Sequence, residues 1–307
     1  MSTAWHRRGL LLAAPTGQPW AQSHAALPVA DLVDDRQADL YYSPRDAHGR
    51  AHIARDRIEV SDDGELILAA QGVEPVLSPG PPGAFDESGV TVSCIVHVND
   101  ASFLYYTGWV LGVSVPFYIY VGLAIRRPGD HVFVRASPAP ILERSPADPY
   151  LTASPWVLCE NGAWRMWYVS CVDWTLVDDK PRHRYHLRYA ESNDGIDWSR
   201  DGRVSMDFAD ENEYAFSRPC VVHDGDRYRM WFSVRGDSYR LGYAESRDGM
   251  TWTRDDPSAG LEPSEGGWDA EMLAYPTILD SGVYRYLLYN GNGYGATGIG
   301  YASGVCG

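Results

Sequence analysis

Two stretches, Tyr189–Trp198 (YAESNDGIDW) and Tyr243–Trp252 (YAESRDGMTW), share the phrase Tyr-Ala-Glu-Ser-x-Asp-Gly-x-x-Trp, and each follows a short aromatic strand, Met166–Tyr168 or Met230–Phe232. Such self-similarity marks a repeat architecture. Upstream of each aromatic strand stands a proline-headed apolar run and a polar turn. Pro155–Leu158 leads to Trp164–Val169, Pro219–Val222 to Tyr228–Ser233, and Pro276–Leu279 to Tyr284–Asn290. A fourth copy runs from Pro28 through Asp34 and Asp35 to Ala38–Ser43, and a fifth, without the proline, from Cys94 through Asn99 and Asp100 to Ser102–Gly108.

Five units of roughly fifty to sixty residues therefore fill the chain. Each is a series of short strands rich in Val, Ile, Tyr and Trp, separated by Gly, Asp and Asn turns, with almost no helical period. Small antiparallel sheets repeated radially limit exposed strand edges. The expected fold is all-β: a five-bladed β-propeller around a central channel, one domain over residues 1–307. The last unit lacks one strand, and the apolar segment from Gly9 to Ala14 is expected to supply it and close the ring. Read instead as a secretory signal behind Arg7 and Arg8, that segment has too short an apolar core.

The net charge of -15 in 307 residues excludes a phosphate-backbone partner, which needs clustered Lys and Arg. No apolar run approaches the ~20 residues that span a bilayer. Cys94, Cys159, Cys171, Cys220 and Cys306 show no paired ligand spacing, which points to a reduced, cytoplasmic compartment. No zinc-type spacing exists and no cofactor is expected, although calcium on the axis stays open. Oligomeric state is not readable.

In a propeller the innermost strands line the channel, and function gathers where the loops entering them meet the loops joining second and third strands. Reading upstream of each inner strand gives His24 in unit one, Asp86, Glu87 and Ser88 in unit two, and Asp148 and Thr152 in unit three. Unit four gives Glu211, Glu213, Ser217 and Arg218, and unit five Asp269, Glu271 and Tyr275. Acids gathered around one axis would raise one another's pKa and separate an acid from a base. The loops after the second strands add Arg45, Asp46, His48 and Arg50, then Trp109, Pro116, Phe117 and Tyr118, then Arg235, Asp237 and Tyr239, then Asn290, Asn292 and Tyr294. Unit three carries an insertion around Trp174–His183, a lid or specificity loop. Aromatic planes mixed with Asp, Asn and Arg suit a sugar, which has an apolar C–H face and a rim of hydroxyls.

The repeated Met-Trp-Tyr strand, the Tyr189–Trp198 phrase and the proline-headed strands resemble the five-bladed propellers of the glycoside hydrolase family 43, fructosidase and family 130 superfamily, over most of residues 20–305. The resemblance implies three inner-strand carboxylates: a base or nucleophile in the first blade, an orienting Asp in the second, a general acid Glu in the third. Here Ser23–Pro28 contains no Asp and Thr152–Pro155 no Glu; only Asp86 or Glu87 matches an acidic position. A glycosidase needs two carboxyls at about 5 Å or roughly 6.5–9.5 Å. The expected relocated pair is Glu87 and Glu271, with Asp86 in support. His24, Trp109, Thr152, Ser154, Arg218, Arg235, Asp269, Tyr275 and Asn292 are the expected contacts to a small carbohydrate. Hydrolase, phosphorylase or transferase action stands beside a non-hydrolytic, carbohydrate-binding alternative.

Overall fold

The computed structural model describes residues 4–282 and 284–305. Strand β1 (His6–Leu12) comes first. The first group is β2 (Ser23–Leu32), β3 (Gln37–Arg45), β4 (Ala54–Val60) and β5 (Leu66–Ala70); the second is β6 (Gly89–Val98), β7 (Ala101–Leu111), β8 (Phe117–Arg126) and β9 (Val134–Arg135). The third is β10 (Thr152–Glu160), β11 (Ala163–Val177), β12 (Lys180–Ser192) and β13 (Val204–Met206). The fourth is β14 (Ala215–Asp224), β15 (Arg227–Arg235), β16 (Tyr239–Ser246) and β17 (Thr253–Arg254), and the fifth is β18 (Ala274–Ser281), β19 (Tyr284–Asn290) and β20 (Ile299–Val305). One helical turn, α1 (Asn292–Gly295), lies between the last two strands.

Consecutive strands pair antiparallel within each group, and β1 pairs antiparallel with β20. The third and fourth groups join in one sheet through a single parallel pairing, Tyr185 to Ala215. The first strands touch in cyclic order, β2 to β6 to β10 to β14 to β18 and back to β2.

Four prolines explain how these strands pack. The residue before each, Leu27, Ser154, Arg218 and Tyr275, has φ of 55°, 45°, 53° and 58°, in the left-handed region that non-glycine residues rarely adopt. Each lies in a β-bulge of its strand. Surrounding bonds hold this strained geometry in place. Leu27 N–H donates to Asn290 Oδ1 at 2.8 Å, Ser154 N–H to Thr107 Oγ1 at 3.0 Å and Tyr275 N–H to Ser233 Oγ at 2.7 Å. Val92, in the unit without proline, donates likewise to Ser43 Oγ at 3.0 Å. In every case the acceptor sits on the second strand of the preceding group, and the Asn290 bond carries the pattern from the fifth group to the first.

The repeated phrase is a turn lock. Asp194 accepts from Ile196 and Asp197 N–H, and Asp248 from Met250 and Thr251 N–H. These bonds hold the Asp248 carboxyl down at about 2. The glycine carbonyl left at the turn then receives an aromatic donor from the preceding group: Tyr105 Oη reaches Gly195 O at 2.7 Å and Trp167 Nε1 reaches Gly249 O at 2.8 Å. Ser61–Gly64 forms the same Ser-x-Asp-Gly turn in the first group, where Tyr286 Oη of the fifth group donates to Gly64 O at 2.9 Å. Trp167 and Trp231 are fully buried and Trp198 and Trp252 pack against neighbouring rings, as expected of core residues.

Candidate functional site

A cavity of about 340 Å³ opens at the mouth of the strand ring, and all five groups contribute to its wall. The first group gives Leu27 and Arg45; the second Thr91, Thr107, Trp109, Phe117 and Ile119. The third adds Ala153, Ser154, Val169, His183 and Tyr185, the fourth Phe216, Ser217, Arg235 and Tyr239, and the fifth Tyr275 and Tyr294. A hollow of about 500 Å³ lies elsewhere, over Arg227, Glu245 and Asp248. Arg227 is paired with Glu245 there and Asp248 is held by its turn bonds, whereas all five groups meet at the funnel, which makes it the better candidate.

The inserted segment of unit three proves to be an ordered hairpin. Pairing of β11 with β12 continues to Val177 and Lys180, and the two central residues, Asp178 and Asp179, have φ of 50° and 59°, as a type I′ turn requires. The arm delivers His183 to the wall, stacked on Tyr185 with ring centroids 4.0 Å apart and flanked by Trp174 and Phe117. Burial, then Arg235 and Arg182, hold the His183 pKa down at about 4, so it is neutral at pH 7.

Arg235 stands among three tyrosines, 5.4 Å from the Tyr214 ring centroid and 5.5 Å from those of Tyr239 and Tyr294. Its Nε and the Tyr185 hydroxyl are buried and have no hydrogen-bond partner among the described residues. Both atoms lie behind the wall, out of reach of the cavity itself. Burial pushes the Tyr275 phenol up to about 12 against the opposing pull of Arg45, Arg235 and Arg218.

Of the expected contacts, Trp109, Ser154, Arg235 and Tyr275 line the funnel. His24 lies off the wall, half-buried, with Nδ1 2.9 Å from Ser23 Oγ; burial and then Arg45 lower its pKa. Thr152 is buried and donates to Leu142 O at 2.7 Å. Asn292 ties its own loop, its Oδ1 accepting Glu271 N–H and its Nδ2 donating to Gly267 O. Arg218 is a correction. It is fully buried and off the wall, donating to Val92 O and Pro28 O at 2.7 Å each. It therefore ties three first strands together and presents no cation to a ligand.

The expected gathering of acids is also corrected. Asp86, Asp148 and Asp269 are each buried, and each accepts from a tyrosine hydroxyl twenty residues on, at 3.0, 3.1 and 3.0 Å from Tyr106, Tyr168 and Tyr289. Each also meets an arginine, Arg135, Arg200 or Arg7. Glu213 pairs with Arg254 at 2.5 Å. These acids lock their own groups together and do not converge. Glu87 accepts Gly83 N–H at 2.5 Å in its loop and Glu271 is exposed. No carboxylate of the described residues lies on the funnel wall. Among the described residues no three His, Cys, Asp or Glu are placed to hold a metal ion, and no helix is long and apolar enough to cross a membrane. Cys94, Cys159, Cys171 and Cys220 are free thiols; Cys306 lies outside the described residues.

The sequence reading missed Tyr185, Thr91 and Leu27. Thr107 had a usable signal: it occupies the place of Ser43, Ser233 and Asn290, the small polar residue after the second-strand aromatic in every group but the third, which has Val169.

These features define an all-β, propeller-like fold whose structural neighbours are glycoside hydrolases. A solved structure described as a glycoside hydrolase matches with a TM-score of 0.72 at 16% identity, over 98% of this chain and 92% of that one. A glycosyl hydrolase from Bacteroides ovatus matches at 0.70 and 15% (99% and 94% covered), and a thermostable family-43 glycoside hydrolase at 0.66 and 14% (93% and 90%). At such identities the likeness is one of fold. No family model matches the chain. Two uncharacterized proteins of Mycobacterium tuberculosis, MT1551 of strain CDC 1551 / Oshkosh and Rv1502 of strain ATCC 25618 / H37Rv, are each 39% identical over 300 residues, 97% of this chain and 98% of theirs. The protein belongs to the family of these mycobacterial proteins.

Proposed function

We propose that the five strand groups are the five blades of a propeller closed by β1, and that its funnel binds a small carbohydrate or sugar-like ligand without cleaving a glycosidic bond. The cyclic contact of the first strands and the pairing of β1 with β20 support the blade count and the closure. Arg7 supports them further, because it gives Asp269 from β1 what Arg135 gives Asp86 from β9.

One observation carries the functional reading: the wall is aromatic and polar but holds no carboxylate among the described residues. Two-carboxylate hydrolysis needs an acid and a base on either side of the scissile bond. Trp109, Tyr239 and Tyr275 offer instead ring faces for a sugar's C–H face, with Thr91, Ser154 and Ser217 at hand for hydroxyls.

The test follows tryptophan fluorescence against a panel of monosaccharides and disaccharides, with Trp109→Phe showing which of the eleven tryptophans reports, and a reducing-sugar assay run on every disaccharide that binds. Saturable binding with no sugar released, unchanged in Glu87→Gln and Glu271→Gln, is expected. The competing reading, hydrolysis by Glu87 and Glu271 with Asp86 in support, takes over if sugar is released and either substitution abolishes it.

A further inference from the structure

The chain carries 41 Asp and Glu against 26 Lys and Arg, so an arbitrary patch of its surface is acidic. The funnel reverses that sign. Its wall holds Arg45 and Arg235 and no carboxylate among the described residues. Buried acids off the wall are matched by Arg135 and Arg200, whereas on the wall Arg45 and Arg235 have no acid within ion-pair distance among the described residues. Asp237, two residues from Arg235, acts on Tyr214 and is not on the wall.

An unpaired guanidinium in a partly dry cavity is held at a cost that a ligand anion would offset. The tyrosine faces around Arg235 orient its plane and shield it from water while leaving its charge unneutralised. Both cations act on the Tyr275 phenol, so they serve one region of the funnel.

We propose that the ligand is a sugar bearing an anionic group, a phosphate or a carboxylate, which is seated by Arg45 and Arg235 while the ring stacks on the aromatic wall. The inference rests on the reading of the funnel as a carbohydrate site. A guanidinium matches either oxyanion with two parallel N–H donors, so the shared chemistry is a trigonal or tetrahedral oxyanion on a small polyol.

The experiment titrates the full chain with glucose 6-phosphate, glucuronate, glucose and inorganic phosphate, read by calorimetry and by tryptophan fluorescence in low and high salt. One acid sugar is expected to bind at least about tenfold tighter than glucose, with the advantage shrinking in high salt. The tighter of the two acid sugars identifies the oxyanion. Arg45→Gln and Arg235→Gln should each weaken that ligand about tenfold and weaken glucose less, so that the preference for the acid sugar shrinks; Arg235→Lys should recover part of the loss. Glucose binding as tightly as both acid sugars overturns the anion and leaves the sugar funnel standing. Inorganic phosphate binding as tightly as glucose 6-phosphate, and lost in both glutamine variants, keeps the anion seat but overturns the sugar. Binding of none of the four overturns the proposal and the funnel reading together.

Discussion

Arg218 and Arg235 look alike in the sequence, each an arginine beside an aromatic strand of the fourth unit, and both read as ligand contacts. Their surroundings separate them. The left-handed backbone at Arg218 sends its side chain into the ring interior, where it donates to carbonyls of β2 and β6. Burial lowers its pKa to about 10, which keeps it charged at neutral pH. Arg218→Met removes two hydrogen bonds to buried carbonyls, leaving Pro28 O with only its Thr277 hydroxyl donor, and is expected to cost about 2–4 kcal/mol in urea unfolding. Arg235 donates to no buried carbonyl, so Arg235→Gln loses only stacking on tyrosine rings and should cost less, about 1 kcal/mol. Equal losses in the two variants would refute the distinction. Side-chain direction, which a bulge decides, is the part of the site that residue type alone does not carry.

The hairpin of β11 and β12 is where an element makes the site. Comparing the Tyr189 and Tyr243 copies revealed the insertion; its form, a strand pair ending in a two-residue turn, brings His183 over the funnel. His183 has an ordinary value of 6.5 and is held at about 4 by the fold, chiefly through burial. Between those values the unfolded chain takes up a proton that the folded chain refuses, so this residue makes stability fall as pH drops from about 6.5 to about 4. The slope is at most about 1.4 kcal/mol per pH unit. His183→Gln should remove it, so that the stability difference between variant and parent shifts in the variant's favour from pH 7 to pH 5. A difference independent of pH would show that His183 titrates normally and that the arm stands away from the wall.

At the scale of the whole molecule the repeat was legible because every unit uses a bulged first strand and an aromatic second strand, and three of the five add an Asp-Gly turn. The third turn, Ser61–Gly64, escaped notice because it lacks the tryptophan that marks the other two. The acid series was misread because a buried Asp–Tyr–Arg lock and a catalytic carboxylate look the same until the twenty-residue spacing to Tyr106, Tyr168 and Tyr289 is set in space. In the proposed closed propeller the first and fifth groups are tied by Asn290, whose side chain accepts from Leu27 N–H and donates to Ala25 O and Gly298 O at 2.7 Å each. Asn290→Ala is expected to cost about 2–4 kcal/mol and to speed amide exchange in β2 and β20 before the middle groups. Uniform loss of protection would mean that the ring opens elsewhere.

The most direct test of the funnel is a crystal structure of the protein soaked with glucose 6-phosphate. The sugar ring should lie against Trp109 and Tyr275 with its phosphate within hydrogen-bond reach of Arg45 and Arg235. A sugar bound at Glu87 and Glu271 with an empty funnel would contradict the account.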